Sequence, residues 1–559
     1  MPDDARIPDD MRDAIADLRD SIHNAEPVAT PPGGSPPGPP EREEGGDPPD
    51  DRHLADFERN DTGNAARLIK RFGADLVYVD GMGWVCWDGD SREDGGRFAF
   101  ELGELEGVRR CQWTQAKMYD EVEALRKEGP PPPSPEEEGE TDETIRKMLR
   151  RERIKAWEDS LKAAQRHALQ SGNAGKITAM LDMAKPDLAK PMQAMDAHPW
   201  LLTVENGTLD LSPVEADAGQ AADGCSDPPP WSARRRSSRR ADLITRRVAA
   251  SYRPGADCPR FKTFLERIQP SEPVRKYLQR LFGYRLTGRA DEHVFVVFFG
   301  TGRNGKSTLV DVLRRVYGDY AATVPVGLFL DDGHVRADGP RPSLAKLPGV
   351  RVVFMSEPKK GSRLDESMVK ETTGGEPIET RRLNRDPFEF RPQFVPIMST
   401  NHKPEVRGLD PGIWGRIHLV GFPVTIPAAE RDKRLGETLW TERDGILNWM
   451  LDGLKEWHEQ GLNPPQEILD AVAEYKADSD PLGEFLDSET VAEAGKRVKT
   501  ADLYERYEDW CKRNGVEPLK QNGFSRRMKD RGFRTVKVSV LFWSGLDLLQ
   551  GVDAPEMGL

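Results

Sequence analysis

The run Gly300-Thr301-Gly302-Arg303-Asn304-Gly305-Lys306-Ser307-Thr308 carries the most chemistry in this sequence. Six positions separate Gly300 from the Lys306-Ser307 pair, the spacing of a phosphate-binding loop. Its glycines let backbone N–H groups curl around phosphate oxygens, and a following helix adds the positive end of its dipole. Lys306 would reach the β and γ phosphates and the Ser307 hydroxyl would hold Mg²⁺. All nine residues are therefore candidate ligands of a nucleoside triphosphate, and ATP with Mg²⁺ is the expected pair. Farther on, Val350-Arg-Val-Val-Phe-Met-Ser-Glu357 ends an apolar run in an acid suited to orient Mg²⁺ and polarise water. Phe394-Val-Pro-Ile-Met-Ser-Thr-Asn401 ends another in an amide that can bond the γ-phosphate or the water. Arg416 follows in Asp410-Pro-Gly-Ile-Trp-Gly-Arg416, where it can serve a neighbouring subunit as a finger. Singly these residues are common at strand ends; their order behind a phosphate loop is not.

Elements must hold these groups in place. Val294-Phe-Val-Val-Phe-Phe suits a buried parallel strand entering the loop, and Leu309-Val-Asp-Val-Leu-Arg-Arg-Val suits a helix leaving it. Upstream, Asn64–Phe72 reads as a helix, and Leu76–Val79 with Trp84–Trp87 as paired strands around Asp80-Gly81. The two tryptophans suit either a core or base stacking. Leu201–Leu211 reads as a hairpin turning at Asn206-Gly207. The basic run Arg234-Arg-Arg-Ser-Ser-Arg-Arg lies in an expected loop, as a solvated arm or a nucleic-acid contact.

The 559 residues hold 81 bases and 95 acids, a net charge of −14 that taken alone argues against a nucleic-acid binder. The acidity is local. Residues 1–50 hold 13 acids and 4 bases, and Pro130–Glu143 holds 6 acids and no base, so the rest is nearly neutral. Ile7, Met11, Ile15, Leu18 and Ile22 have the spacing of a short amphipathic helix, and Pro27–Asp51 reads as a linker. The five cysteines form no Cys-x-x-Cys pair, which excludes a disulfide scaffold and disfavours a cysteine zinc site. The longest apolar run, Val294–Phe299, is far too short for a bilayer, which needs about 20 residues. No signal peptide is expected.

The ordered set Gly300–Thr308, Glu357, Lys370–Arg381, Met398–Asn401 and Trp414-Gly-Arg416 resembles the superfamily 3 helicase domain. More narrowly it is similar to the phage and plasmid primase-helicase family, related to the poxvirus primase-helicase. Asn206-Gly-Thr-Leu-Asp-Leu, Tyr252–Phe261 and Tyr277–Tyr284 extend the likeness to about residues 145–545. The resemblance implies a ring, usually hexameric, of AAA+-type subunits moving on single-stranded DNA. It gives Lys306, Glu357, Asn401 and Arg416 the catalytic roles, with Ser307 and Glu357 at the metal. It also makes 370–390 a hairpin facing the channel, with Arg381, Arg382 and Arg385 as DNA contacts or, alternatively, a salt-bridge cluster with Glu376, Glu379 and Asp386. Two departures stand out: Ser356 replaces a second acid beside Glu357, and Gly415 stands where a second basic residue is usual.

The expected fold is thus α/β: a parallel phosphate-loop core flanked by an N-terminal helical and α+β region and a C-terminal winged helix. The expected divisions are a tail (1–52), an accessory unit (53–127), an acidic linker (128–144), a helix and hairpin region (145–255), the ATPase (256–475) and the winged helix (480–550). In that last unit Lys496–Lys537 carries 13 bases and 6 acids. Arg526, Arg527 and Lys529 fall on its recognition helix, with Arg534 and Lys537 at the wing, for DNA or for a protein partner. Residues 53–127 show no carboxylate motif for primase chemistry, so a separate primase or replication protein is an expected partner. Single-stranded and forked DNA, a homohexamer and the cytoplasm of a bacterial host complete the expectation. The rival readings are an ATP-switched origin-binding or loader protein and a DNA-packaging motor.

Overall fold

The computed structural model describes residues 50–89, 95–101, 103–213, 231–331, 341–382, 387–406, 408 and 410–549. The amphipathic segment Ile7–Ile22 and most of the first linker lie outside them, as do Arg385 and Asp386.

Five strands form the central sheet, and we number only these: β1 (Phe295–Phe299), β2 (Ala321–Val324), β3 (Val352–Met355), β4 (Val395–Thr400) and β5 (Ile417–Gly421). Their order is β5-β1-β4-β3-β2 and every pairing is parallel. Unbroken apolar runs make sense here because both faces are covered. Val296 and Phe298 of β1 join one hydrophobic cluster with Leu309, Leu281 and Met450 from the surrounding helices. Phe295 and Val297 point the other way, into a cluster with Phe329, Met368 and Tyr475.

Helix Asp61–Phe72 precedes an antiparallel pair, Leu76–Val79 with Gly83–Trp87, in the register Leu76↔Cys86 and Tyr78↔Trp84. Trp84 and Trp87 are core residues, 4% and 9% exposed, so neither offers a face for base stacking. Leu68, Trp84 and Met118 share one cluster with Ile177 and Met180, so packing crosses the acidic Pro130–Glu143 segment. That segment is itself anchored: it holds the short helix Pro135–Gly139, and Glu137 pairs with Arg153 at 2.7 Å. Buried Glu121 bridges Arg67 at 2.8 Å and Arg71 at 3.0 Å.

The hairpin Leu201–Val204/Gly207–Asp210 forms as expected, and Asn206 and Tyr252 exchange two hydrogen bonds through the amide side chain. The basic run differs from its expected loop. Arg234–Arg236 is a third strand, where Arg234 pairs with Asp210 and Arg236 with Asp242. Those two ion pairs weaken the case for a free basic arm.

At the C-terminus, helices Thr500–Asn514 and Gln521–Asp530 pack on a three-stranded antiparallel sheet. Leu541–Leu548 is central, between Arg534–Lys537 and Thr490–Lys499. Leu503, Tyr507 and Trp510 are buried on one helix face, with Trp543 beneath them. The strand Thr490–Lys499 and the helix Pro481–Glu489 were not anticipated. No described helix is long and apolar enough to cross a membrane.

One buried contact predicts a pH response. Tyr277 O–H and His418 Nδ1 lie 2.6 Å apart, and burial lowers the His418 pKa to about 4 from 6.5. The folded chain therefore binds fewer protons than the unfolded chain between those values. This contribution to stability is complete above pH 6.5 and declines as the pH falls toward 4, by about 3 kcal/mol. A His418→Phe chain should show a flatter loss of melting temperature across that window; an unchanged acid limb would refute the assignment.

Candidate functional site

Strand order builds the site. Because β4 runs between β1 and β3, the C-terminal ends of all three are neighbours. The loop after β1 reaches Lys306 at the start of helix Lys306–Tyr317, Glu357 follows β3, and Asn401 follows β4.

The loop takes its shape from residues that accept left-handed backbone: Gly302 at φ +87°, Arg303 at +56° and Gly305 at +82°. Two of the glycines answer different needs. A Cβ on Gly305 would fall 2.4 Å from Ile268 Cγ2, so packing beneath the loop forbids it. At Gly302 a Cβ would meet open space, which leaves that side clear for a ligand to approach. The helix start has no side-chain cap. Asn304 steadies the turn by donating to Phe422 O and accepting from the Lys306 N–H, both at 3.4 Å.

Lys306 is 5% exposed, and its ammonium donates to Gly300 O at 2.8 Å, Thr400 O at 2.7 Å and Asn401 Oδ1 at 3.2 Å. All three donors are thereby matched, which is what a buried cation requires. Burial pushes its pKa below the usual lysine range, and the Glu357 charge opposes that shift. The Asn401 backbone and side-chain N–H groups donate to the two Glu357 carboxylate oxygens at 3.1 and 3.0 Å. Lys306, Asn401 and Glu357 thus form one hydrogen-bonded chain across three strand ends. Ser307 is exposed beside them. An uncapped helix start, a matched buried lysine, an exposed serine and an exposed carboxylate fit a metal–triphosphate ligand.

Arg416 does not join this group. The Phe295 N–H donates to Arg416 O at 2.7 Å, so Arg416 sits where β1 and β5 begin, and the loop lies where β1 ends. Five residues of strand span about 16 Å. Its guanidinium is held by Thr373 Oγ1 at 3.1 Å and Gly412 O at 2.7 Å, a pairing that sequence reading missed.

The expected hairpin exists as Ile378–Thr380 paired with Phe388–Phe390. Ile378, Phe388 and Phe390 are buried. Glu379 and Glu389 face each other across the strands, a like-charge pair that disfavours phosphate along the stem. Arg381 at the tip is exposed. Arg382 instead donates to Met82 O at 3.3 Å and lies 5.9 Å from the Phe100 ring centre. On the C-terminal unit, Arg526, Lys529, Arg534 and Lys537 are exposed and Arg527 is half-buried.

A parallel α/β sheet with a glycine-rich strand-to-helix loop, and acid and amide at the two neighbouring strand ends, defines the class. Comparison with known families narrows it. Residues 65–270 match a family described as D5 N terminal like, and residues 477–538 match one described as poxvirus D5 protein-like. Residues 298–412 match a family described only as of unknown function. Over residues 65–270 and 477–538 the chain is similar to the D5-type proteins that the descriptions name. It is 28% identical over 348 residues to "Putative helicase L207/L206" of Acanthamoeba polyphaga mimivirus, covering 58% of this chain and 34% of that protein. It is 23% identical over 231 residues to "Putative primase C962R" of African swine fever virus, covering 40% and 22%. The chain thus spans about a third or less of the length of these curated relatives. Among solved structures, the apo NrS-1 C-terminal region shares 13% identity at a TM-score of 0.35, over 54% of this chain and 77% of that one.

Proposed function

We propose that the chain is an ATP-dependent DNA helicase motor of superfamily 3, an AAA+-type subunit that works in a ring. The observation that carries this reading is the Lys306–Asn401–Glu357 chain at one sheet edge with Arg416 at the other. The order β5-β1-β4-β3-β2 supports the AAA+-type assignment, because it sets an amide-bearing strand between the loop strand and the acid-bearing strand. An arginine too far to serve its own site is suited to a neighbour's, and a head-to-tail contact repeated around an axis closes a ring.

Within each site, Lys306 exchanges its carbonyl partners for the β and γ phosphates. Ser307 with Glu357 would hold Mg²⁺, which when bound neutralises charge on the phosphate oxygens. Asn401 keeps Glu357 oriented until the carboxylate turns to polarise water. Arg416 of the adjoining copy meets the charge that develops on the γ-phosphate. The hairpin tip, through Arg381, and the C-terminal unit, read as a winged helix, contact DNA. Priming is assigned to a separate protein.

A Glu357→Gln chain tests the division of labour. The amide can still bond Asn401 but cannot take a proton, so nucleotide binding should persist while turnover falls roughly a hundredfold or more. Fluorescent-nucleotide titration and phosphate release measure the two; unchanged turnover would remove Glu357 from the chemistry.

A further inference from the structure

We propose that the outward face of the C-terminal sheet is a binding platform for single-stranded DNA, distinct from the helix Gln521–Asp530. Strand register puts two rows on that face: Arg497–Ser544–Arg534 and, next to it, Lys499–Phe542–Val536. The alternate row, Val498–Trp543–Thr535, turns inward, and Trp543 is fully buried while Val498 is 6% exposed. The outward rows stay open: Arg497, Lys499 and Arg534 are exposed and Val536 is 44% exposed. Phe542 is half-buried between the cations, with the Arg497 guanidinium 5.3 Å from its ring centre.

Charge complementarity selects the occupant. Arg497 and Arg534 have no carboxylate partner among the described residues, and Lys499 approaches Asp502 only at 3.9 Å. Three cations around an aromatic ring on one open face supply what a single strand needs: positive charge along the backbone and a ring on which a base stacks. A duplex buries its base faces and gains little from Phe542. A protein partner would be drawn to the apolar pair Phe542 and Val536 but would leave the cations unmatched. This proposal rests on the motor reading only for the choice of DNA as the ligand.

The test titrates the full-length chain with fluorescein-labelled oligo(dT) and with a blunt duplex, without nucleotide, over a range of salt. Phe542→Ala should weaken oligo(dT) binding about tenfold while duplex binding holds, and Phe542→Trp should restore it. Arg534→Ala, at an exposed position that spares the fold, should lower the salt slope for oligo(dT) by about 0.7. Equal loss for both ligands in Phe542→Ala, or unchanged oligo(dT) affinity and slope in both variants, would overturn the platform. Failure of the motor reading would appear separately, as absent ATP turnover in the unsubstituted chain.

Discussion

In a Lys306→Ala chain, ATP turnover is expected to fall at least about a hundredfold while the melting temperature stays close to that of the parent. The kinetic loss follows from removing the one ammonium placed at the end of β1 to meet the phosphates. Folding should survive because the two carbonyl partners of Lys306 keep a second bond and Asn401 is only half-buried. Gly300 O still accepts from the Gly302 N–H, Thr400 O from the Gly300 N–H, and Asn401 remains tied to Glu357. Removing a cation whose burial already disfavours its charge releases one acceptor, Asn401 Oδ1, on a half-buried residue. Phosphate release and a thermal melt on the same preparation read both halves. Turnover near the parent's would show that the loop is not a nucleotide site.

The second large effect concerns Arg416. Its replacement by Ala should lower turnover about a thousandfold, as loss of an arginine finger does. Local structure should tolerate the change, since Thr373 Oγ1 keeps its bond to Val369 O at 2.6 Å. The sharper test is mixing. Arg416→Ala subunits retain Lys306, and Lys306→Ala subunits retain Arg416, so a fraction of the interfaces between them unites both groups. ATPase activity should then rise above that of either variant alone. Equal silence at every mixing ratio would mean that Arg416 acts within its own subunit or only braces helix Glu366–Thr373 through Thr373.

How much of this the sequence revealed depended on whether the deciding interaction was local. The phosphate loop was legible because Gly300, Gly305, Lys306 and Ser307 stand at a fixed spacing along the chain, although Ile268 and Thr400, which pack against them, do not. Glu357 and Asn401 were legible as strand-end residues, yet their mutual bonding was not. They lie 44 positions apart, and only the insertion of β4 between β1 and β3 brings them together. The distance of Arg416 from Lys306 was hidden for the same reason, since strand direction, not spacing, separates them. Strand Thr490–Lys499 escaped notice because it is mostly exposed and its pairing is interrupted between Ala492 and Arg497, which erases the alternation that marks a strand. Arg234–Arg236 was hidden by composition: three arginines read as a solvated arm, but carboxylates at Asp210 and Asp242 hold two of them in an edge strand. Net charge misled until it was divided along the chain, and the Glu137–Arg153 pair shows that part of the linker's acidity is already spoken for.

The most direct measurement is strand displacement on a forked duplex. With ATP and Mg²⁺ the unsubstituted chain should separate the strands, and the Lys306→Ala chain should bind the fork without separating it. A chain that binds the fork and hydrolyses ATP yet leaves the duplex intact would contradict the motor reading and favour a nucleotide-switched binding protein.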